Sequence, residues 1–229
     1  MSQLGVITGL ASEADCLNVY GYDERPAVRI AGASATRARE AAQALVSSGC
    51  KGLVSFGLSG ALDPQHVPGD VLLPDAVLNP QGQRFVTHAP WRNSLEQALS
   101  VTMPVSSGSI SGSDTPLLTV EQKIASRLSS GAAAVDMESH AIAEVAARHG
   151  LPFVALRVIA DSHQLEIPAW TMNGVQENGQ VHEGQLFLGF LIRPWLWPKL
   201  GVLAVSNSKA LKSLRRSILV VGPGLQFPG

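Results

Sequence analysis

The sequence predicts an α/β fold in which a central mixed sheet lies between layers of helices. Apolar runs of strand length alternate along the chain with segments whose apolar residues recur at helical spacing. This alternation is typical of parallel or mixed sheets covered by helices. A length of 229 residues, with 45% hydrophobic and 15% charged residues, suits one enzyme-sized domain spanning residues 1–229.

The predicted elements follow one another without an evident linker or internal repeat. The predicted strands are 4–8, 27–31, 52–56, 71–78, 132–135 and 153–160. The predicted helices are 36–48, 93–100, 120–129 and 138–149. The Gly/Ser-rich stretch 106–113 is predicted to be a strand end and a loop.

Composition excludes several classes of function. A net charge of −1 gives no electrostatic footprint for nucleic acid. Cys16 and Cys50 are too few and too isolated for a disulfide framework or a zinc site, and we expect neither a metal nor a cofactor. No positively charged segment followed by an apolar one opens the chain, so we expect no signal peptide and a reducing cytoplasmic setting.

Acidic residues stand where buried strands end. Asp136 and Glu138 lie between a short apolar run and a helical pattern, and Asp161 follows the apolar run 153–160. Carboxylates at such positions can hold a polar ligand at the edge of a sheet. On spacing alone two other interpretations remain open. Asp161 could cap the following turn, and Glu138 could be a first-turn acid favoured by the helix dipole.

Four segments together resemble the purine nucleoside phosphorylase and nucleosidase superfamily. They are 5–14 (GVITGLASEA), 56–62 with 68–72 (FGLSGAL, PGDVL), 135–138 (VDME) and 160–161 (AD). They occur in family order and cover roughly residues 4 to 162, which makes the combined match specific. The resemblance implies a three-layer nucleoside phosphorylase-like fold. The second segment is expected to be a glycine-bearing turn followed by a strand.

The resemblance also implies catalytic roles in cleaving an N-glycosidic bond of an adenine nucleoside. Asp161 would protonate the base at N7, assisted by a hydrogen bond from Ser162. Glu138 would bind the ribose hydroxyls and stabilise an oxocarbenium-like sugar, with Met137 packed against the sugar face. Glu13 would orient and deprotonate an attacking water. From spacing alone, Glu13 could instead be exposed to solvent and Met137 could be a core residue.

This chain differs from its relatives at the positions expected to contact the base and at those expected to bind phosphate. Adenine-cleaving members often carry an aromatic residue after S-G-D, whereas this chain has Asp114 in S-G-S-D, which could read the base edge. The arginines of related phosphorylases are missing from both glycine-containing segments. The remaining candidates for binding phosphate are Ser34, Arg37, Arg39 and Ser59, although the first three also fit a capped helix start with solvated arginines. We therefore expect hydrolysis.

The C-terminal part of the sequence indicates one group within this superfamily. From about residue 186 an apolar segment containing Phe187, Phe190, Trp195 and Trp197 is followed by a basic stretch with Lys209, Lys212, Arg215 and Arg216. This tail is similar to that of the hopanoid-associated phosphorylases, which remove adenine from adenosylhopane. Interrupting prolines and charges disfavour a transmembrane helix. A peripheral contact with the inner face of the membrane is one interpretation, and packing onto the core or a subunit interface is the other.

The expected activity is release of adenine from a 5′-substituted adenosine, with adenosylhopane as the preferred substrate. The enzymatic alternatives are methylthioadenosine or adenosylhomocysteine cleavage and phosphorolysis. The alternative of another class is a nucleoside- or lipid-binding protein that retains the fold. Family analogy implies a homo-oligomer, with a dimer preferred.

Overall fold

The sheet is organised around one long strand. In this computed structural model β3 (Gly52–Ala61) pairs in parallel with both β1 (Leu4–Thr8) and β10 (Phe153–Asp161), and its last two residues pair antiparallel with β9 (Ala134–Asp136). The structure describes residues 3–21, 24–168 and 197–229, with side chains in the last range from residue 200. Because β1, β3 and β10 run in parallel, their carboxyl ends meet at one edge of the sheet.

Within the described residues, ten strands form one mixed sheet. The others are β2 (Ala27–Ile30), β4 (Val71–Leu72), β5 (Ala76–Leu78), β6 (Arg84–Val86), β7 (Val105–Ser106) and β8 (Ser109–Gly112). Their order is β6-β5-β8-β9-β3-β10-β4-β7, and β1 joins β3 to β2. The sheet combines parallel pairs with antiparallel ones, such as β10 with β4.

Helices cover both faces of the sheet. They are α1 (Ala11–Asp15), α2 (Ala35–Ser47), α3 (Ala89–Ser100), α4 (Val120–Ser130), α5 (Ser139–Arg148) and α6 (Trp197–Val221). Side chains alternate along β3 and β10, so each strand supplies two cores. Leu53 and Ala155 pack with α2 and α5, whereas Phe56 and Leu156 pack with α3 and α6. The predicted mixed sheet flanked by helices is confirmed.

Two local predictions were wrong. The segment 71–78 was expected to be one strand, but β4 and β5 are separate and pair with different partners, β10 and β8. Pro74 lies between them, and proline cannot donate to a ladder. The stretch 106–113 was expected to be a strand end and a loop; β7 does end at Ser106, but Ser109–Gly112 form β8, an interior strand between β5 and β9. Its serines and glycines have low strand propensity, which hides it in the sequence.

The expected glycine-bearing turn at 56–62 is also different. β3 continues through it to Ala61 while pairing with β10, with a register shift between Ile159 and Asp161. This extension carries the backbone of β3 to the edge of the sheet where Asp161 lies.

The basic C-terminal stretch is part of α6, which packs onto the sheet. Its buried face comprises Ala210, Leu214, Ile218 and Val221, in the same core as α3 and β10. In the described part of this segment, packing onto the core is therefore the arrangement found. Residues 186–196, including Phe187, Phe190 and Trp195, and the side chain of Trp197 lie outside the described residues. No helix in the described ranges is long and apolar enough to cross a membrane.

We expect Leu214→Ala to lower the free energy of unfolding by about 2–5 kcal/mol, because it leaves a cavity beneath α6. Leu219→Ala on the same helix is a matched control, since Leu219 is 58% exposed. Its effect should stay within about 0.5 kcal/mol. Chemical denaturation measures both. Equal small effects would show that α6 does not belong to the core.

Candidate active site

Glu13 is held at the carboxyl end of β1 by backbone donors. One carboxyl oxygen accepts hydrogen bonds from the N–H groups of Gly9 (2.7 Å) and Leu10 (2.9 Å), and the other accepts from Leu58 (2.8 Å). Glu13 is 3% exposed, which excludes the solvent-exposed alternative. A carboxylate offers about four lone pairs, so these three bonds leave one acceptor position for a further donor.

Arg157 lies at the centre of the buried polar cluster. Its side chain projects from the middle of β10 and is fully buried. Nε lies 2.8 Å from Asp136 Oδ2, and Nη2 donates to Glu138 Oε2 (3.3 Å) and Ser55 Oγ (2.6 Å). Nη1 donates to the carbonyl of Leu58 (3.3 Å). Each guanidinium nitrogen therefore has an acceptor within the protein.

Asp136 and Glu138 have different tasks although they are neighbours in sequence. Asp136 accepts hydrogen bonds from the backbone N–H groups of Glu138 (3.2 Å) and Ser139 (3.0 Å), and so caps the start of α5. Glu138 accepts from Arg157 and is 5% exposed. Glu138 is therefore buried and paired with Arg157, unlike an exposed acid in the first turn of a helix.

Glycines allow these groups to approach the backbone. A Cβ atom on Gly57 would lie 2.6 Å from both Glu13 Cδ and Arg157 Nη1. A Cβ on Gly9 would lie 2.9 Å from Glu138 Oε1 and 3.4 Å from Glu13 Oε2. The two glutamates therefore face each other across Gly9, and a side chain at either glycine would collide with the cluster.

Burial and mutual repulsion shift the protonation of the cluster. Burial raises the pKa of Glu138 to about 8, Arg157 opposes this shift, and Asp136 and Glu13 add to it. Burial likewise raises the pKa of Glu13, against Arg157 and the three backbone donors. Three carboxyl groups lie near one guanidinium, so burial and mutual repulsion both favour the protonated form of Glu138.

Asp161 ends β10 beside the same stretch of β3. A Cβ atom on Gly60 would lie 3.2 Å from Asp161 Oδ2. Burial raises the pKa of Asp161, and the ammonium of Lys123, which is hydrogen-bonded to Oδ2, opposes the shift. Gly57, near Glu13 and Arg157, and Gly60, near Asp161, are three residues apart, so their backbones are about 10 Å apart along β3. The same edge of the sheet thus holds an acid and a carboxylate cluster.

The other predicted residues lie at varied depths. Met137 and Ser162 are half-buried, and the Ser162 carbonyl accepts from Lys123 (2.9 Å). Asp114 is exposed and lies 3.2 Å from His140 Nε2. The Ser59 hydroxyl is buried and has no hydrogen-bond partner within the described residues.

The predicted phosphate candidates at the start of α2 are engaged elsewhere. Ser34 accepts from the N–H of Arg37 as the N-cap of α2 (3.4 Å). The guanidinium of Arg37 donates to the carbonyls of Ala31 (2.7 Å) and Gly32 (2.6 Å). Arg39 pairs with Glu144 (2.9 Å). These arginines brace the loop and the helix, and both are half-buried.

Sequence reasoning missed Arg157 and Lys123. Arg157 was included in an apolar run without a role, although an arginine inside a buried strand requires carboxylate partners. Lys123 lies in a helix whose other residues are not buried, so its spacing resembles that of a surface lysine.

A cavity of about 630 Å³ lies away from this site. Its lining includes Arg84, His88, Ala146 and Phe153. Phe153 begins β10, whereas Asp161 ends it, so the cavity is at the opposite end of the strand.

Fold and site together define an α/β enzyme with buried acids at the carboxyl edge of its sheet. A family model described as the phosphorylase superfamily matches residues 28–184. This is more than half of the chain, and the chain belongs to the phosphorylase superfamily. It is therefore an enzyme of the nucleosidase or phosphorylase type. No curated protein sequence matches the chain.

Solved structures share the fold at low sequence identity. Futalosine hydrolase of Helicobacter pylori strain 26695 is 14% identical with a TM-score of 0.70, covering 94% of this chain and 96% of its own. A mutant H. pylori nucleosidase with 5′-methylthioadenosine in its active site is 16% identical with a TM-score of 0.68, and the match covers 95% of this chain and 98% of that protein. The S-adenosylhomocysteine nucleosidase of Streptococcus pyogenes, in complex with 5-methylthiotubericidin, is 16% identical with a TM-score of 0.67. The match covers 94% of this chain and 95% of that protein.

We expect Glu138→Gln to become progressively more stable than the wild type as pH rises from about 5 to about 8. The folded-state pKa of Glu138 is raised, so in this window the native state holds a proton that the unfolded state releases. Wild-type stability is thereby lost as pH rises, and glutamine removes that loss. Melting temperatures of both proteins across the pH range measure the difference. A pH-independent difference would contradict the raised pKa.

Proposed function

We propose that the protein is a nucleosidase that hydrolyses the N-glycosidic bond of a 5′-substituted adenosine and releases adenine. The observation that carries this proposal is the arrangement along β3. Three carboxyl groups lie around one guanidinium, each nitrogen of which already has an acceptor, and a separate buried acid lies a few residues away along β3. Glycosidic cleavage needs an acid for the leaving group and negative charge for a cationic sugar, and these are spatially separate requirements.

Asp161 is the proposed acid. Adenine leaves poorly as an anion, so N7 must receive a proton as the bond to C1′ lengthens. Burial raises the pKa of Asp161, which favours a retained proton. Ser162 is the proposed assistant, and Asp114 is proposed to contact the base edge.

Glu138 is the proposed partner of the ribose, with Met137 against the sugar face. The carboxylate form of Glu138 would attract the positive charge that develops on the sugar. Its interaction is therefore stronger in the transition state than in the ground state, which is the condition for accelerating the reaction.

Water is the proposed nucleophile, with Glu13 as its base. Glu13 has one acceptor position left after its three backbone bonds. An incoming phosphate would meet carboxyl groups and an arginine without a free fork of donors. Phosphorolysis remains the alternative because the unpartnered Ser59 hydroxyl could contact an anion.

Adenosylhopane is the proposed substrate, supported by the resemblance of the tail to hopanoid-associated phosphorylases. Methylthioadenosine and adenosylhomocysteine are the alternatives, and two structural neighbours hold a methylthio nucleoside or its analogue. Lys209, Lys212, Arg215 and Arg216 are exposed on α6 and are available to anionic lipid at the inner face of the membrane. We further propose a cytoplasmic homodimer with residues 1–229 as one domain, on family analogy.

We expect the purified protein to release adenine from at least one 5′-substituted adenosine. Adenosylhopane, methylthioadenosine and adenosylhomocysteine should be assayed by chromatography in buffer that contains phosphate, so that either reaction class registers. Faster release from adenosylhopane would support the lipid-linked substrate. Tight binding of a nucleoside without release of base from any of them would favour the binding protein.

We expect Asp161→Asn to fold but to lose at least ~10² in kcat, because the amide cannot protonate the base. Asp15→Asn is a matched control, since Asp15 is exposed two residues after Glu13. Melting temperature verifies folding and initial rates measure activity. A folded Asp161→Asn protein with near-normal turnover would remove Asp161 from the mechanism.

A further inference from the structure

A lysine is buried beside the proposed acid. Lys123 is 1% exposed and is the only buried residue of α4, a helix whose other residues are half-buried or exposed. Lysine is almost never fully buried unless it is paired. The burial of Lys123 therefore indicates that its ammonium is paired with acceptors at this edge of the sheet.

The ammonium of Lys123 has three acceptors. Nζ donates to Asp161 Oδ2 and to the carbonyls of Ser162 (2.9 Å) and Leu165 (2.9 Å). An ammonium has three N–H groups, so all of its donors are satisfied. The two carbonyls come from the loop after β10, and Lys123 thereby fixes both Asp161 and the loop.

All the hydrogen bonds of this geometry can form whether one shared proton lies on Lys123 or on Asp161. In the ion pair, the ammonium donates to all three oxygens. If one proton moves to Asp161, the neutral amine keeps two N–H groups for the two carbonyls, and its lone pair accepts from the carboxyl. The neutral placement avoids two buried charges, so a dry site brings the two placements close in energy.

We propose that Lys123 is a positioning residue that supplies, through Asp161, the proton taken by the leaving base. One proton passes from Nζ to Asp161 Oδ2, and the carboxyl proton passes to the base nitrogen. The bond to C1′ breaks at the same time, and its electron pair stays with the base. Lys123 is left as a neutral amine. The proton that Glu13 takes from the attacking water returns to solvent, and Lys123 regains a proton from solvent before the next turnover, so no proton is gained or lost by the enzyme. The inference rests on the proposed function, because it assigns the source of that reaction's proton.

Other titratable groups at this corner are already accounted for or lie in the adjoining loop. Arg127, one turn further along α4, pairs with Asp63. Glu138, after β9, is held by Arg157. His163 and Glu166 lie in the loop after β10. Burial and Lys123 are the influences on the pKa of Asp161, and they act in opposite directions.

The test compares Lys123→Met and Lys123→Arg with the wild type in kcat/KM from pH 5 to 9.5. In Lys123→Met, Asp161 has no ammonium partner, and it loses its proton at the raised pKa that burial gives it. Activity should therefore fall at least ~10-fold on the alkaline side and recover toward the wild-type rate at acidic pH. Arginine keeps the charge but cannot give up a proton, so Lys123→Arg should stay at least ~10-fold down throughout. Lys51→Met, at an exposed lysine, is the control.

Two results would overturn the inference. An equal loss at every pH in Lys123→Met, restored by arginine, would assign Lys123 to packing. Higher activity of Lys123→Met at neutral pH would make the lysine a restraint on the acid.

A measurement without turnover separates this inference from the proposed function. A wild-type protein that releases no base overturns the proposed function and the proton transfer to a base, and leaves the pairing of Lys123 with Asp161 to be tested by itself. In that case ¹³C NMR of labelled aspartate, assigned with Asp161→Asn, reports the pair directly. The titration midpoint of Asp161 should move to higher pH in Lys123→Met. An unchanged midpoint would overturn the pairing itself.

Discussion

The buried guanidinium of Arg157 is the interaction on which the rest of the site depends. It stands in the middle of β10 and joins the cap of α5, the end of β3 and Glu138. Burial alone would lower the pKa of Arg157, but the carboxyl groups of Asp136, Glu138 and Glu13 raise it. Without Arg157, these acids would be buried with no compensating charge, a loss that typically costs about 3–5 kcal/mol. The cluster is thus part of the core as well as of the candidate site.

The same burial sets the stability of the cluster against the chemistry proposed for it. Glu138 is buried with like charges near it, so its ionised form is disfavoured in the resting protein. A group of this kind is costly for folding and useful when positive charge appears beside it. Lys123 and Asp161 form the corresponding pair at the proposed leaving-group end, and the backbone of β3 fixes the spacing between the two.

Much of the fold and part of the site could be predicted because their causes are local. Apolar periodicity revealed the main strands and helices, and acids at strand ends indicated Asp161 and Glu138. The split between β4 and β5 was foreseeable from Pro74, whereas β8 was hidden by its serines and glycines. The roles of Arg157 and Lys123 could not be predicted from spacing, since their partners come from distant parts of the chain. Only tertiary contacts reveal that these two cations are buried.

We propose that this site activates water and not phosphate, because Asp136 and Glu138 already engage the guanidinium of Arg157. The most direct measurement is the identity of the ribosyl product by mass spectrometry, first in phosphate-free buffer and then with phosphate added. Hydrolysis predicts adenine and a free ribosyl product in both buffers, with no increase in rate when phosphate is present. Strict dependence on phosphate, with a ribosyl 1-phosphate as product, would contradict it and recast Ser34, Arg37, Arg39 or Ser59 as anion ligands.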